Sequence, residues 1–124
     1  MTDHAVGLDL IEIGRLARAL DRRAGLAERI FTDRERSFAG ARAQPARHLA
    51  ARFAAKEAAL KALGLGGLRL HEVEVVGGGD GPPALALHGS AAAEASRRGL
   101  VLEVSLTHSR EFAAAVVLAH PAPG

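Results

Sequence analysis

The 124-residue sequence contains no cysteine, no tryptophan and no tyrosine, and only four phenylalanines. Without cysteine, neither a disulfide nor a thiolate metal site can form, so any bound metal needs Asp, Glu, His or backbone oxygen as ligands. The sequence also lacks a basic N-terminal stretch followed by an apolar segment, and no apolar run reaches about 18 residues. We therefore expect no membrane span and a cytoplasmic location.

Large apolar side chains are also scarce, although 48% of the residues are hydrophobic, because much of that fraction is alanine. The length predicts one domain over residues 1–124. A core of Ala, Val and Leu removes little apolar surface from water per residue. This deficit favours the hypothesis that association between subunits supplies part of the stability.

Positive charge is concentrated between residues 14 and 52, where arginine is abundant and lysine is absent. This pattern favours an acidic or phosphate-bearing partner, although a solvated arginine-rich face would read the same way. A nucleic-acid binder is a third reading, but the sequence offers few aromatic residues for base stacking and no recognisable nucleic-acid motif. The arginines are 15, 18, 22, 23, 29, 34, 36, 42, 47 and 52.

The periodicity predicts an α+β fold with antiparallel hairpins and one long central helix. Thr32 and Glu35 form a capping-box signature, and Ser90 reads as the cap of a later short helix. Strands are predicted over residues 5–10, 70–76, 84–88, 101–107 and 112–119, and helices over 12–23, 26–31, 47–63 and the segment between Ser90 and Gly99.

The helix predicted over residues 47–63 carries three charged residues of special interest. Lys56 falls within the apolar stripe, so it needs either a carboxylate partner or a polar cavity beside the helix. Glu57 and Lys61 are four residues apart and share a face. An ordinary surface ion pair between them is the alternative to a role in chemistry.

Two further polar residues have ambiguous positions. Asp9 lies on the strand face opposite Val6, Leu8 and Leu10, where it could cap the next helix or act as a hard oxygen ligand. Asp9 and Glu57, with water and phosphate oxygens completing the shell, would suit Mg²⁺. His108 follows Thr107 at a hairpin tip and could bind a phosphate or ribose, or simply be solvated.

Taken together and in order, these segments resemble the holo-acyl-carrier-protein synthases, the short 4′-phosphopantetheinyl transferases. The run from Gly7 to Arg15 is similar to their G-x-D-x-x-E-x-x-R opening. The run from Arg52 to Lys61 (RFAAKEAALK) matches their most specific motif nearly letter for letter. Weaker similarities occur at 31–35 (FTDRE), 81–85 (GPPAL) and 105–113 (SLTHSREFA), so the resemblance spans residues 5–119.

The resemblance implies a 4′-phosphopantetheinyl transferase fold and a homotrimer with sites at subunit interfaces. It implies that Asp9 and Glu57 bind Mg²⁺, with Lys61 joining them in catalysis. Coenzyme A would contact Arg52, Lys56, Lys61, Gly64, Thr107 and His108, and the acidic carrier would dock on Arg15, Arg22 and Arg29. Where many members have Gly-Thr-Gly after the long helix, this sequence has Gly64-Leu65-Gly66.

The implied reaction is transfer of the 4′-phosphopantetheine group from coenzyme A to a serine of an apo acyl carrier protein, releasing adenosine 3′,5′-bisphosphate. Such an enzyme would serve fatty acid biosynthesis and lipid metabolism, with no nucleic-acid or membrane partner. The sequence does not choose between fatty-acid, polyketide and peptide-synthesis carriers. A non-catalytic coenzyme A or nucleotide-binding module is the alternative from another class.

Overall fold

The computed structural model describes residues 3–67 and 69–123. It confirms the α+β class: a three-stranded antiparallel sheet carries one long helix, with a two-stranded hairpin and shorter helices beside it. The elements are β1 (Ala5–Glu12), α1 (Ile13–Arg22), α2 (Leu26–Ile30), α3 (Asp33–Gly40), α4 (Pro45–Leu63), β2 (Val73–Gly77), β3 (Pro83–Leu87), α5 (Gly89–Arg98), β4 (Leu100–His108) and β5 (Phe112–Pro121).

Within the larger sheet the strand order is β1-β5-β4, so the last strand lies between the first strand and its own hairpin partner. Leu8 pairs with Val116, and Ser105 pairs with the same residue from the other side. Because β1 and β4 both pair with β5, Asp9 of β1 and His108 at the end of β4 belong to the same sheet. β2 and β3 form the separate hairpin.

One face of the sheet is covered by α4, and alanine makes this close approach feasible. Ala54, Ala55, Ala58 and Ala59 of α4 are fully buried. At Gly7 the backbones come so near that a Cβ built there would lie 1.8 Å from the Ala58 carbonyl oxygen. The alanine bias of the sequence is therefore the means by which helix and sheet pack tightly.

The opposite face, which we call the outer face, exposes large apolar side chains on β1 and β5. Leu8 is 64% exposed and Val116, its partner on the central strand β5, is 39% exposed. An antiparallel sheet with one solvated face normally turns polar side chains outward. The exposed large apolar side chains of the described residues all belong to this face: Val6, Leu8, Leu10, Val101, Phe112, Val116 and Leu118.

The structure confirms one local prediction from the sequence and corrects two others. The capping box is confirmed, with Glu35 N donating to Thr32 Oγ1 at 3.3 Å and Thr32 N donating to Glu35 Oε1 at 2.9 Å. The strand predicted from residue 70 begins instead at Val73, after a 3₁₀ turn at Leu70–Glu72. Ser90 was wrongly predicted as a cap: His88 holds that position, while Ser90 Oγ donates to Glu72. Within the described residues, no helix is long and apolar enough to cross a membrane.

Candidate active site

Two predicted carboxylates line the same cavity of about 530 Å³, which we call the carboxylate pocket. Asp9 comes from β1 and Glu57 from α4, the helix that covers β1. Glu12 and Arg15 complete its charged lining, and the walls are apolar, with Phe53 and Phe112 among them. The close packing of α4 on β1 is therefore what brings these two side chains to one place.

Asp9 does not cap α1, because that cap position belongs to Glu12, which makes no side-chain capping bond. Instead, Lys61 Nζ donates to Asp9 Oδ1 at 3.1 Å and to the Leu8 carbonyl oxygen at 3.0 Å. Within the described residues, the alternative Glu57–Lys61 ion pair does not form. Lys61 is 54% exposed and Asp9 17%, so this ion pair lies at the pocket edge within reach of solvent.

The carboxylate pocket brings Asp9 and Glu57 together, and of these two carboxylates Asp9 is the one that forms an ion pair with Lys61. Partial burial raises the pKa of Glu57, and the negative charge of Asp9 raises it further, while Lys61 acts in the opposite direction. A cation between the two carboxylates would remove this repulsion. Among residues 3–67 and 69–123, no group of three or more His, Asp or Glu side chains that could hold a metal ion is found.

A second cavity, of about 410 Å³, lies at the other side of α4, and we call it the arginine pocket. Arg52 of α4 and Thr107 and His108 of β4 line it, which brings three of the predicted coenzyme A contacts together. Arg52 is only 3% exposed, and it donates to the Gly77 carbonyl oxygen at 2.6 Å. A small hollow of about 210 Å³ shares Leu10 and Phe112 with the carboxylate pocket, and Thr107 and His108 with the arginine pocket.

Lys56 requires a correction, because its expected contact with coenzyme A does not fit its position. The side chain is fully buried, and its ammonium donates to Glu35 Oε1 at 2.7 Å and to the carbonyl oxygens of Leu70 and Val73. All three N–H donors of the ammonium are therefore used inside the protein. Burial lowers the pKa of Lys56, and the charge and hydrogen bond of Glu35 counteract this.

Four other predicted positions lie apart from the arginine pocket. Gly64 ends α4 in a left-handed conformation with φ of 71°, and neither cavity described above includes it. Arg15 lines the carboxylate pocket, and Arg22 and Arg29 are exposed on α1 and α2. Of these three arginines, Arg15 is the one that the structure places beside the two carboxylates.

Comparison with known proteins gives the family directly. Residues 5–117 match the model of the 4′-phosphopantetheinyl transferase superfamily. The chain belongs to this superfamily. A holo-[acyl-carrier-protein] synthase of Syntrophotalea carbinolica is 45% identical over 91% of this chain and 92% of the relative. One from Frankia casuarinae is 47% identical over 92% of this chain and 94% of the relative. Among 4′-phosphopantetheinyl transferases, the chain therefore falls with the holo-[acyl-carrier-protein] synthases.

Solved structures of such transferases share the fold. A Chronobacterium ammoniagenes structure, described as an ACPS–CoA complex, matches with a TM-score of 0.83 and 32% identity over 97% of this chain and 98% of that chain. A Bacillus anthracis holo-(acyl-carrier-protein) synthase in complex with CoA (3′,5′-ADP) matches with a TM-score of 0.77 and 32% identity over 95% and 96%. The resemblance inferred from the motifs is thus confirmed over nearly the whole chain.

The sequence reasoning missed three residues near the sites. The sequence pattern indicates a capping role for Glu35 but does not reveal that this residue is the buried partner of Lys56. Phe38 and His48 line the arginine pocket, and the sequence motifs assign a role to neither. For His48 the available signal was its spacing from Arg52, because residues four apart on α4 share a face.

Proposed function

We propose that the carboxylate pocket is the magnesium-dependent centre at which this chain transfers the 4′-phosphopantetheine group from coenzyme A to a serine hydroxyl of an apo acyl carrier protein. Membership of the holo-[acyl-carrier-protein] synthases supports the reaction. The observation that carries the placement is the meeting of Asp9 and Glu57, from two different elements, in one pocket where their charges repel.

Asp9 and Glu57 would hold the Mg²⁺, whose chemistry is to neutralise charge on the pyrophosphate of coenzyme A. Lys61 reaches the same edge of the pocket and can stabilise negative charge on the departing adenosine 3′,5′-bisphosphate. Phe53 and Phe112 supply apolar walls of the pocket, which would limit the access of water to a bound phosphate. Positioning and charge stabilisation are the main requirements of phosphoryl transfer.

The carrier would approach over α1 and α2. Arg15 lines the carboxylate pocket, and Arg22 and Arg29 are exposed nearby in sequence. An acidic carrier surface would be attracted by these charges and guided toward the pocket. This surface gives the carrier a route to the carboxylates that does not pass through the arginine pocket.

A homotrimer is the assembly we propose, on the strength of two observations. The outer face leaves Val6, Leu8 and Leu10 exposed as a continuous apolar row, which is typical of an interface between copies. Within one chain, the two carboxylates proposed to hold the metal line one pocket, whereas Arg52, Thr107 and His108, predicted to contact coenzyme A, line the other. A neighbouring copy seated on the outer face would complete a site that the single chain leaves divided.

Asp9→Asn and Glu57→Gln test the centre directly. Each variant should lose transfer by at least about a hundredfold while retaining its fold, because one carboxylate cannot hold the cation and orient the phosphates. The assay follows the mass gain of an apo carrier incubated with coenzyme A and Mg²⁺. Calorimetric titration of the variants with Mg²⁺ supplies a readout independent of turnover.

Glu94→Gln is the matched control, since Glu94 is a carboxylate of α5 whose partners are Arg97 and Arg98. Near-normal turnover in Glu57→Gln at ordinary Mg²⁺ concentration would refute the metal-ligand role. In the same assay Arg15→Glu should raise KM for the carrier more than KM for coenzyme A, and equal effects on both would count against docking on α1. Coenzyme A binding without any mass gain in the wild-type protein would indicate a non-catalytic module.

A further inference from the structure

Three rings from three elements form a row in the arginine pocket. Phe38 of α3 and His48 of α4 meet edge to face, with ring centroids 5.8 Å apart and planes at 80°. His48 meets His108 at the end of β4 in the same way, at 6.0 Å and 76°. His48 is therefore held between two rings and borders the pocket, with little freedom to turn away.

The same row is surrounded by guanidinium groups. The Arg52 guanidinium carbon lies 3.8 Å from the Phe38 ring centroid, and that of Arg42 lies 4.3 Å from it. In residues 3–67 and 69–123, no carboxylate forms an ion pair with Arg42, Arg47 or Arg52. Arg52 is nearly fully buried, and its Nε has no hydrogen-bond partner. Buried positive charge without a carboxylate is expensive unless an anion binds beside it.

We propose that His48 is a specificity residue for a terminal phosphate in the arginine pocket, and that it takes up a proton when this dianionic group binds. The inference rests on the proposed function, which makes coenzyme A the ligand, and deepens it. Coenzyme A carries one terminal phosphate monoester besides its pyrophosphate, so a group that recognises a dianion would separate it from dephospho-coenzyme A.

The surroundings of His48 indicate that anion binding takes up a proton and does not release one. Burial lowers the pKa of His48, and the neighbouring His108, Arg42, Arg47 and Arg52 lower it further. The ring is therefore neutral near pH 7 when no anion is present. Two negative charges arriving among these cations offset much of the local positive potential and raise the same pKa.

The sign of the pH dependence follows from this difference. Between the lowered pKa of the free pocket and the raised pKa of the complex, the complex holds more protons, so binding strengthens as the pH falls through that window. A phosphate monoester has a second pKa of about 6, below which it loses negative charge and the effect reverses. The pH range in which binding strengthens as the pH falls therefore lies above about pH 6.

His48→Phe tests the inference, since phenylalanine preserves an edge-to-face ring and cannot be protonated. The probe is adenosine 3′,5′-bisphosphate, titrated calorimetrically in two buffers of different ionisation enthalpy, which reports the protons taken up. We expect net uptake by the wild-type protein near pH 7 and most of it lost in His48→Phe. Affinity for the probe should fall about tenfold, as for a lost hydrogen bond to a charged group.

His71→Gln, which changes an exposed histidine of the Leu70–Glu72 turn, is the control and should behave as wild type. The preference for coenzyme A over dephospho-coenzyme A should shrink in His48→Phe and persist in His71→Gln. A second measurement uses the wild-type protein alone: the ring signal of His48, followed by NMR, should titrate at higher pH with the probe bound than without it.

Equal proton uptake in wild type and His48→Phe, or a His48 titration unchanged by the probe, would overturn the inference. If His48→Phe fails to fold, the NMR titration decides. A wild-type protein that transfers the arm normally while showing no His48-dependent uptake would refute this inference and leave the proposed function standing. A wild-type protein that neither binds the probe nor modifies the carrier would overturn both.

Discussion

At the scale of single residues, Gly7 controls how closely α4 approaches β1. Its position on the inner face of β1 leaves no room for a side chain, because the Ala58 carbonyl occupies the space of a Cβ. Asp9 lies two residues further along the same face, opposite the helix that bears Glu57. The glycine is therefore a condition for the two carboxylates to line one pocket.

Gly7→Ala should destabilise the protein by at least about 3 kcal/mol, since the new methyl collides with backbone and cannot be relieved by a side-chain rotation. Chemical denaturation measures the loss. Gly40→Ala is the matched control, because nothing lies within 4 Å of its Cβ position and its φ is not positive. In a helix the same exchange is neutral or gains about 0.5 kcal/mol, so equal losses in both variants would contradict the steric explanation.

At the scale of elements, a buried polar network ties α3 and α4 to the small hairpin. Glu35 of α3 accepts hydrogen bonds from Lys56 of α4 and from the backbone N–H of Val75 in β2, at 2.7 Å each. Thr32, at the start of α3, donates to Glu74 at 2.6 Å, which lowers the pKa of that carboxyl. The network holds α3, and with it Phe38, against the arginine pocket.

Lys56→Met should cost about 3–5 kcal/mol of unfolding free energy, because it leaves the Glu35 carboxylate buried without its cation. Lys56→Met/Glu35→Gln should recover part of that loss, with a coupling of about 1–3 kcal/mol measured in a double-mutant cycle. Denaturation of the four proteins gives the cycle. Additive effects would show that the two side chains do not stabilise each other.

The sequence predicted the inward position of Lys56 but could not name its partner. Helical periodicity places a side chain on a face of its own helix, whereas the identity of a contact 21 positions away depends on how α3 packs. Glu35 already had a local explanation as the reciprocal member of a capping box, and that explanation is correct as far as it goes. Its second carboxylate oxygen accepts a hydrogen bond from the backbone N–H of Val75. No local sequence pattern reveals that contact.

At the scale of the whole molecule, the outer face is the feature that the sequence described only in part. Alternation along residues 5–10 correctly separated Val6, Leu8 and Leu10 from Asp9. It could not tell which of the two faces would meet α4. The face with glycine and small residues was chosen because small side chains permit close backbone contact, so the larger apolar side chains were left outside.

Leu8→Lys should therefore dissociate the assembly while changing the fold of the single chain little, since Leu8 already meets solvent there. Light scattering after size-exclusion chromatography should give three times the 12.9 kDa chain mass for wild type and a lower mass for the variant. Ala43→Lys, at an exposed site between α3 and α4, is the control. A wild-type protein with the mass of one chain would contradict the proposed trimer.

The burial of one lysine beside the exposure of the other has a practical consequence for chemical labelling. The sequence contains two lysines, and of these, amine-reactive reagents can reach Lys61, because the ammonium of Lys56 is enclosed. A side-chain acylation experiment would thus report on a single position at the edge of the carboxylate pocket. The acylation rate of Lys61 would therefore report whether the adjoining carboxylate pocket, the proposed centre, is occupied.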